Sequence, residues 1–268
     1  MRHVPAECRK RSTPYFCLSF CILFFFSTLA FAQTNRPFRT EDVSLLPSGH
    51  MEFSAGFQML AGFQNRVTLE EQRLYQFPVV AACIGLGNLV EFQVSGYAYN
   101  HLDVGNEIQS SPGDFSLFTK IRFNKGNGSL PSFGFRYGIK LPNAEETKGV
   151  GTDETDVYGE LLCEKRWKGL KLFGSAGIAI LGSPTTPSSQ DDLFTFGAAA
   201  EIPIKNVSIL GEVNGMTGDP NWDAARAGFG VKIAHHRIVL DAAFWDGFLA
   251  KSEDWGFTTG VTLNFKAF

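Results

Sequence analysis

The chain has 268 residues, 44% of them apolar, and a net charge of −3. That length fits one or two domains. The charge balance supplies no basic patch and excludes a nucleic-acid partner.

The first element is a leader. Arg2, Arg9, Lys10 and Arg11 precede an almost purely apolar run from Tyr15 to Phe31, centred on Phe24, Phe25 and Phe26. Ala30-Phe31-Ala32 places small residues at the two positions that a signal peptidase reads. The pattern predicts a secretory signal over residues 1–32, cut after Ala32. The run is short for a spanning helix, and the polar Gln33-Thr34-Asn35 behind it favours cleavage over anchoring. Cys21 follows Leu18-Ser19-Phe20, but Phe20 is too large for the residue before a lipidated cysteine, so lipidation is not expected. Residues 33–48 are expected as a periplasmic N-terminal segment, and residues 49–268 as the folded body.

From residue 49 onward the recurring pattern is alternation with period two, the mark of strands with unlike faces. Phe133-Gly134-Phe135-Arg136-Tyr137-Gly138-Ile139-Lys140-Leu141 is its clearest instance. Strands are expected at 49–62, 70–84, 88–99, 113–124, 131–142, 154–166, 170–181, 191–202, 207–216, 222–234, 237–247 and 254–267. Each is long enough to cross a bilayer as a tilted strand, which takes about 9–11 residues. Tight turns fall at Gly85–Asn88, Lys125–Gly128, Trp167–Gly169, Pro203–Asn206 and Ala234–His236. Longer polar connections lie between them, at 63–69, 100–112, 143–153, 182–190, 217–221 and 248–253. Short periplasmic turns alternating with longer outer loops are the pattern of an outer-membrane barrel. An even strand count also returns the C-terminus to the side from which the chain entered.

The expected fold is therefore all-β: one antiparallel up-and-down transmembrane β-barrel of about twelve strands behind a cleaved signal, placed in the bacterial outer membrane. A secreted sandwich is the alternative. Long strands, the preference for Phe on one face and the Gly, Ser and charge on the other favour the barrel. Expected partners are outer-membrane lipid and, through the C-terminal strand, the barrel-assembly machinery. Phe268 is out of phase with Val261, Leu263 and Phe265, which a bulge near Lys266 would correct. Trp167, Trp222, Trp245 and Trp255 fall near strand ends, where aromatic girdles belong. Cys83 and Cys163, the cysteines behind the leader, are expected on non-adjacent strands as free, apolar-facing thiols.

Alternation assigns a set of charges to the lumen, because charge facing lipid is costly. The lumen-lining candidates are Glu52, Glu91, Lys120, Arg122, Arg136, Lys140, Glu160, Glu212, Arg226, Lys232 and Asp241, with Asp114 and Glu164 on the same face. They read either as a polar pore or as opposite charges that pair and fill the barrel. Twelve strands lie between the filled eight-stranded barrel and the open sixteen-stranded one, so strand number leaves both readings open.

Several short motifs together resemble the MetA-pathway phenol-degradation family of outer-membrane proteins. They are Thr40-Glu41-Asp42 before Gly49 and Glu52, Gly113-Asp114 opening a strand that ends Lys120-Ile121-Arg122-Phe123, Lys140-Leu141-Pro142-Asn143, and Gly149-Val150-Gly151-Thr152-Asp153 leading to Asp156. Asn143 stands where such proteins often show Thr-Gly. The resemblance implies an outer-membrane barrel and a channel for small organic compounds.

The functional expectation is a channel or transporter for small solutes, organic or aromatic ones included, with no cofactor, no metal and no enzymatic activity. A plugged structural barrel is the alternative, and a barrel lipid hydrolase a more distant one. For the hydrolase, His101 beside Ser110 and Ser111 is the candidate pair. The acidic residues Glu145, Glu146, Asp153, Glu154 and Asp156 lack the spacing of a calcium loop and read as a solvated outer loop, as do Asp191 and Asp192.

Overall fold

A computed structural model describes residues 36–64, 71–104, 107–127, 129–145, 151–183, 189–220 and 222–268. The expected signal at 1–32 and its cut after Ala32 lie outside the described residues. In chain order the strands are β1 (His50–Gln64), β2 (Glu71–Leu86), β3 (Val90–Tyr97), β4 (Asn100–Val104), β5 (Glu107–Ser111), β6 (Phe115–Asn124), β7 (Ser132–Leu141), β8 (Asp156–Trp167), β9 (Leu170–Gly182), β10 (Gln190–Ile204), β11 (Val207–Thr217), β12 (Ala224–His235), β13 (Ile238–Gly247) and β14 (Trp255–Lys266).

Every pairing is antiparallel, and β1 pairs with both β14 and β2, which closes the sheet. Twelve strands form the wall. β4 and β5 stand apart as a hairpin, with β4 paired to β2 from Arg73 to Gln76 while β3 takes β2 from Val79 to Leu86. This hairpin occupies the connection expected at 100–112 as a plain loop. The tight turns gather at one end of the barrel (the turn end) and the longer connections at the other (the loop end). The two-residue turn between β8 and β9 places Lys168 at φ 48° and Gly169 at φ 87°, the pair of left-handed residues that suits the twist of a hairpin.

The register settles which face is which. Phe53 pairs with Leu263, so the two share a face, and they are 45% and 42% exposed. Their neighbours Glu52 and Thr262 are buried on the opposite face. Leu161, Ile178, Phe229 and Leu240 repeat the exposed pattern around the wall. A water-soluble sandwich would bury these side chains between its sheets. An apolar outside on a sheet without free edges is the solution that hydrocarbon demands, because no backbone donor or acceptor is left unpaired toward lipid. The fold is that of an outer-membrane β-barrel.

Three local expectations change. Cys83 pairs with Glu52 and Gln93 and so shares the inner face with them, whereas Cys163 is exposed opposite Phe133 on the outside. The cause is a register shift in the β1–β2 ladder between Gly56 and Gln58: Gln72, Leu74 and Gln76 are buried above it, and the inner face passes to the other phase below. Trp245 is not a girdle residue but is buried inside the wall with Leu60, Leu74 and Leu102, whereas Trp167 and Trp255 are exposed. Finally, the β1–β14 ladder runs without a shift to Lys266, so no bulge brings Phe268 into phase. The strand ends first and Phe268 is exposed.

Candidate functional site

Residues 36–48, expected to sit ahead of the barrel in the periplasm, run against the inner wall instead. Arg36 donates from Nη2 to Asp241 Oδ1 at 3.3 Å and to Thr258 Oγ1 at 3.1 Å. The backbone N–H groups of Arg39 and Thr40 donate to Glu212 Oε2 at 3.1 and 2.6 Å. Ser44 donates to Glu164 Oε2 at 2.8 Å, and the Leu46 N–H to Glu91 Oε2 at 2.7 Å. Val43, Leu45 and Leu46 are buried. The partners belong to β3, β8, β11, β13 and β14, so one short segment reaches walls on all sides of the barrel.

The wall makes room for it with glycine. A Cβ on Gly85 would lie 2.4 Å from the carbonyl oxygens of both Leu46 and Pro47, and one on Gly197 would lie 2.5 Å from Thr40 Oγ1. Gly56 and Gly260 stand equally close to the Arg36 guanidinium. Only a residue without a side chain lets another backbone approach a sheet this closely.

The centre of the arrangement is Lys120, 2% exposed. Its Nζ lies 2.9 Å from Glu41, 3.2 Å from Glu91 and 3.6 Å from Asp42. Lys171 pairs with Asp42 from the neighbouring wall. A buried ammonium requires compensation of this kind, since desolvation of an isolated charge costs several kcal/mol. Burial pushes the Asp42 carboxyl up, but Lys171 and Lys120 beside it outweigh burial and hold it down at about 2. Glu41 follows the same balance, with Lys120 and Arg136 overcoming burial to keep it below the ordinary carboxylate range.

The remaining lumen-lining candidates form pairs along the wall. Arg136 meets Glu160 at 3.2 Å and Gln93 at 3.0 Å, with its guanidinium 3.6 Å above the Phe118 ring. Lys140 binds Asp156 at 2.9 Å and Asp114 at 3.4 Å. Lys232 faces Glu201 at 3.9 Å, and Arg226 is buried against Glu253. Glu52 is buried on the inner face. Arg122 sits at the turn-end rim, where it donates to the Asn88 carbonyl at 2.8 Å. Pattern reading passed over Arg36, Glu41, Asp42 and Glu253, because they lie outside the strands. It also passed over Lys171, whose place on the inner face the alternation in β9 would have given.

Toward the loop end the interior changes character. Leu60, Leu74, Leu102 and Trp245 form one buried apolar cluster. Ala179, Leu181 and Leu193, with Tyr158, Met216 and Trp222 against them, form a separate one on the far wall. The connection between β7 and β8 is not a free acidic loop where it is described: Ala144 and Thr152 are buried, and Asp114 accepts from the Asn143 and Ala144 N–H groups. Glu146, Gly149 and Val150 lie outside the described residues. Among the described residues no group of His, Cys, Asp and Glu is arranged to hold a metal ion. His101 Nδ1 lies 2.7 Å from Ser110 Oγ across the β4–β5 hairpin. Among the described residues no carboxylate or amide accepts from the other ring nitrogen.

No family model matches the chain, and no curated protein does. Solved structures with a similar course of chain include the β domain of the Bordetella autotransporter BrkA, at 12% identity and a TM-score of 0.49, covering 81% of this chain and 100% of that one. Outer membrane phospholipase A from Escherichia coli matches at 8% identity and a TM-score of 0.47, over 89% of this chain and 96% of that one. The outer membrane channel DcaP of Acinetobacter baumannii matches at 9% identity and a TM-score of 0.41, over 81% and 96%. At these scores the likeness adds nothing finer to the closed twelve-stranded wall that the hydrogen-bond ladder itself defines.

Proposed function

We propose that the chain is a channel for small solutes in the bacterial outer membrane, closed in this state by its own residues 36–48. The observation that carries this reading is the way the segment is held. It is anchored by ion pairs and by wall glycines, through contacts that belong to a strand of chain rather than to the wall. Its departure leaves the hydrogen-bond ladder of the barrel intact, and Lys120 keeps Glu91 as a partner. The two loop-end clusters are separate from each other, so no single core closes that end. The general rule that short turns face the periplasm supports a periplasmic turn end, and with it a periplasmic start of β1. The resemblance to the MetA-pathway proteins agrees with small organic solutes, and its motifs Glu41-Asp42, Asp114, Lys120, Lys140 and Asp156 are members of the lumen network.

The test is conductance in a planar bilayer. The chain from Gln33 is expected to be closed for most of the time. A chain that lacks residues 36–46 and keeps its heat-modifiable mobility on a gel should conduct. If the shortened chain also stays silent, the barrel is a plugged scaffold, the second reading, which the number of wall-to-wall ion pairs favours. We read the His101–Ser110 pair as structural and the protein as non-enzymatic. Ester hydrolysis by the purified protein that is lost in His101→Ala would overturn that.

A further inference from the structure

The exposed charges at the two ends of the barrel differ in sign. At the turn end Lys125, Arg166, Lys168, Lys205, Arg237 and Lys266 are exposed, and among the described residues no Asp or Glu at that end is. At the loop end Glu71, Asp192, Asp246 and Asp254 are exposed, with Arg73 as a cation beside them. A solvated surface ordinarily intersperses the two signs. The turn-end cations come from the β6–β7, β8–β9, β10–β11 and β12–β13 connections and their flanks and from the end of β14, so they follow the rim instead of crowding one side. They stand within two residues of exposed apolar side chains of the outer wall: Phe123, Trp167, Ile204, Ile238 and Phe265. Lys168 Nζ lies 5.3 Å from the centre of the Trp167 ring. Arg166 reaches Glu164 and Ser44. Among the described residues the side chains of Lys125, Lys205, Arg237 and Lys266 have no acceptor.

We infer that the turn end binds phospholipids with anionic headgroups, whose phosphates meet this ring of cations where the apolar wall ends. A bilayer sets hydrocarbon against the exposed Phe, Trp and Ile side chains and a headgroup layer at their edge. A cation one or two residues beyond a lipid-facing side chain therefore lies at headgroup depth. Lys and Arg reach that depth by laying their stems along apolar surface and keeping the charge in water. Each cation near an anionic surface is worth about fivefold in affinity. The loop end carries the opposite sign and repels the same headgroups. An acidic soluble partner would meet the cations alone, whereas lipid covers both the cations and the apolar side chains beside them. The inference does not depend on whether the lumen opens.

The reporter is Trp167 alone, with Trp222, Trp245 and Trp255 changed to Phe, in the chain from Gln33 folded into phosphatidylcholine vesicles. Brominated phosphatidylglycerol or brominated phosphatidylcholine, added to the vesicles, quenches its fluorescence according to how much of each lipid lies at the turn end. At low salt phosphatidylglycerol should be preferred about fivefold, the effect of one cation near the surface. Salt at about 1 M, where the screening length is about 3 Å, should remove the preference. Lys125→Gln, Lys168→Gln and Lys205→Gln together should remove it as well. Trp255 alone, at the loop end beside Asp254, should show none. Equal quenching of Trp167 by the two lipids at low salt, a preference unchanged in the lysine variant, or the same preference at Trp255 overturns the inference. Binding of soluble polyglutamate without a lipid preference also overturns it, and assigns the ring to an acidic protein. Should the three-phenylalanine chain fail to fold, the parent and the lysine variant are compared with all four tryptophans in place, and an equal phosphatidylglycerol excess in both overturns it.

Discussion

The two halves of the lumen are filled from different parts of the chain. At the turn end a separate stretch of chain is tied to the wall by charge: Glu41 and Asp42 on Lys120 and Lys171, Arg36 on Asp241. At the loop end the wall meets itself, through the apolar clusters of Leu60, Leu74, Leu102 and Trp245 and of Ala179, Leu181 and Leu193, and through the ion pairs Lys140–Asp156 and Arg226–Glu253. Apolar packing is undirected and indifferent to pH. Buried ion pairs are all-or-none, because removal of one partner leaves the other charge uncompensated. The contrast teaches that the turn-end closure, carried by a separate segment, can be released by a local change, whereas at the loop end each contact joins wall to wall.

The largest break should come from Lys120→Ala. It leaves Glu41, Asp42 and Glu91 facing one another without their common cation, at a cost of about 3–5 kcal/mol to the docked segment. Tryptic cleavage at Arg39, slow in the parent, should become fast. Unchanged protection would mean that the ion pairs do not hold the segment.

Acid comes next. Asp42 has its carboxyl held at about 2 against an ordinary 3.8, so its contribution is complete above the ordinary value and is lost as the pH falls from there toward about 2. The shift is worth about 2 kcal/mol, and Glu41 acts in the same direction. Conductance recorded while the solution is acidified should rise across that interval. A rise confined to neutral pH would point to another group.

Gly85→Val should follow. Its Cβ would meet the backbone oxygens of Leu46 and Pro47, which cannot rotate aside, and overpacking of this kind costs about 1–3 kcal/mol. The same protease assay reads it. Smallest for the docked segment is Trp245→Phe at the loop end, which removes the hydrogen bond to the Glu253 carboxylate, worth about 1.5–3 kcal/mol to the barrel, and keeps most of the apolar contact. It should lower the thermal midpoint of the barrel and leave Arg39 as protected as before, which sharpens the division between the halves.

The wall was legible because closure forces period-two alternation on every spanning strand. The expected strands 131–142 and 170–181 overlay β7 and β9 almost residue for residue. The β4–β5 hairpin escaped because strands of five residues are too short to show a period, and Asn100 to Val104 read as polar loop. Of the charges that alternation points inward, Glu52, Glu91, Lys120, Arg226 and Asp241 are buried. The occupied lumen was not legible: Thr40-Glu41-Asp42 has the composition of an exposed linker, and its wall partners Gln93, Lys120 and Lys171 lie 52, 79 and 129 residues away in sequence. One signal was present. Gly85, Gly134 and Gly197 on the polar face are residues whose missing side chains leave space for another backbone.

Residue 134 offers the most direct test of whether this segment closes the lumen. A Cβ there would lie 3.3 Å from Val43 Cγ1 and 2.8 Å from the Ile121 carbonyl oxygen, so a small shift of the wall brings Val43→Cys and Gly134→Cys within disulfide reach once Cys83 and Cys163 are changed to serine. Bilayer conductance would be recorded during acidification through the range in which Asp42 titrates, before and after reduction. The oxidised protein should stay shut throughout, and the reduced protein should open as the pH falls. Equal conductance in the two states of the joined protein would contradict a lumen closed by residues 36–48.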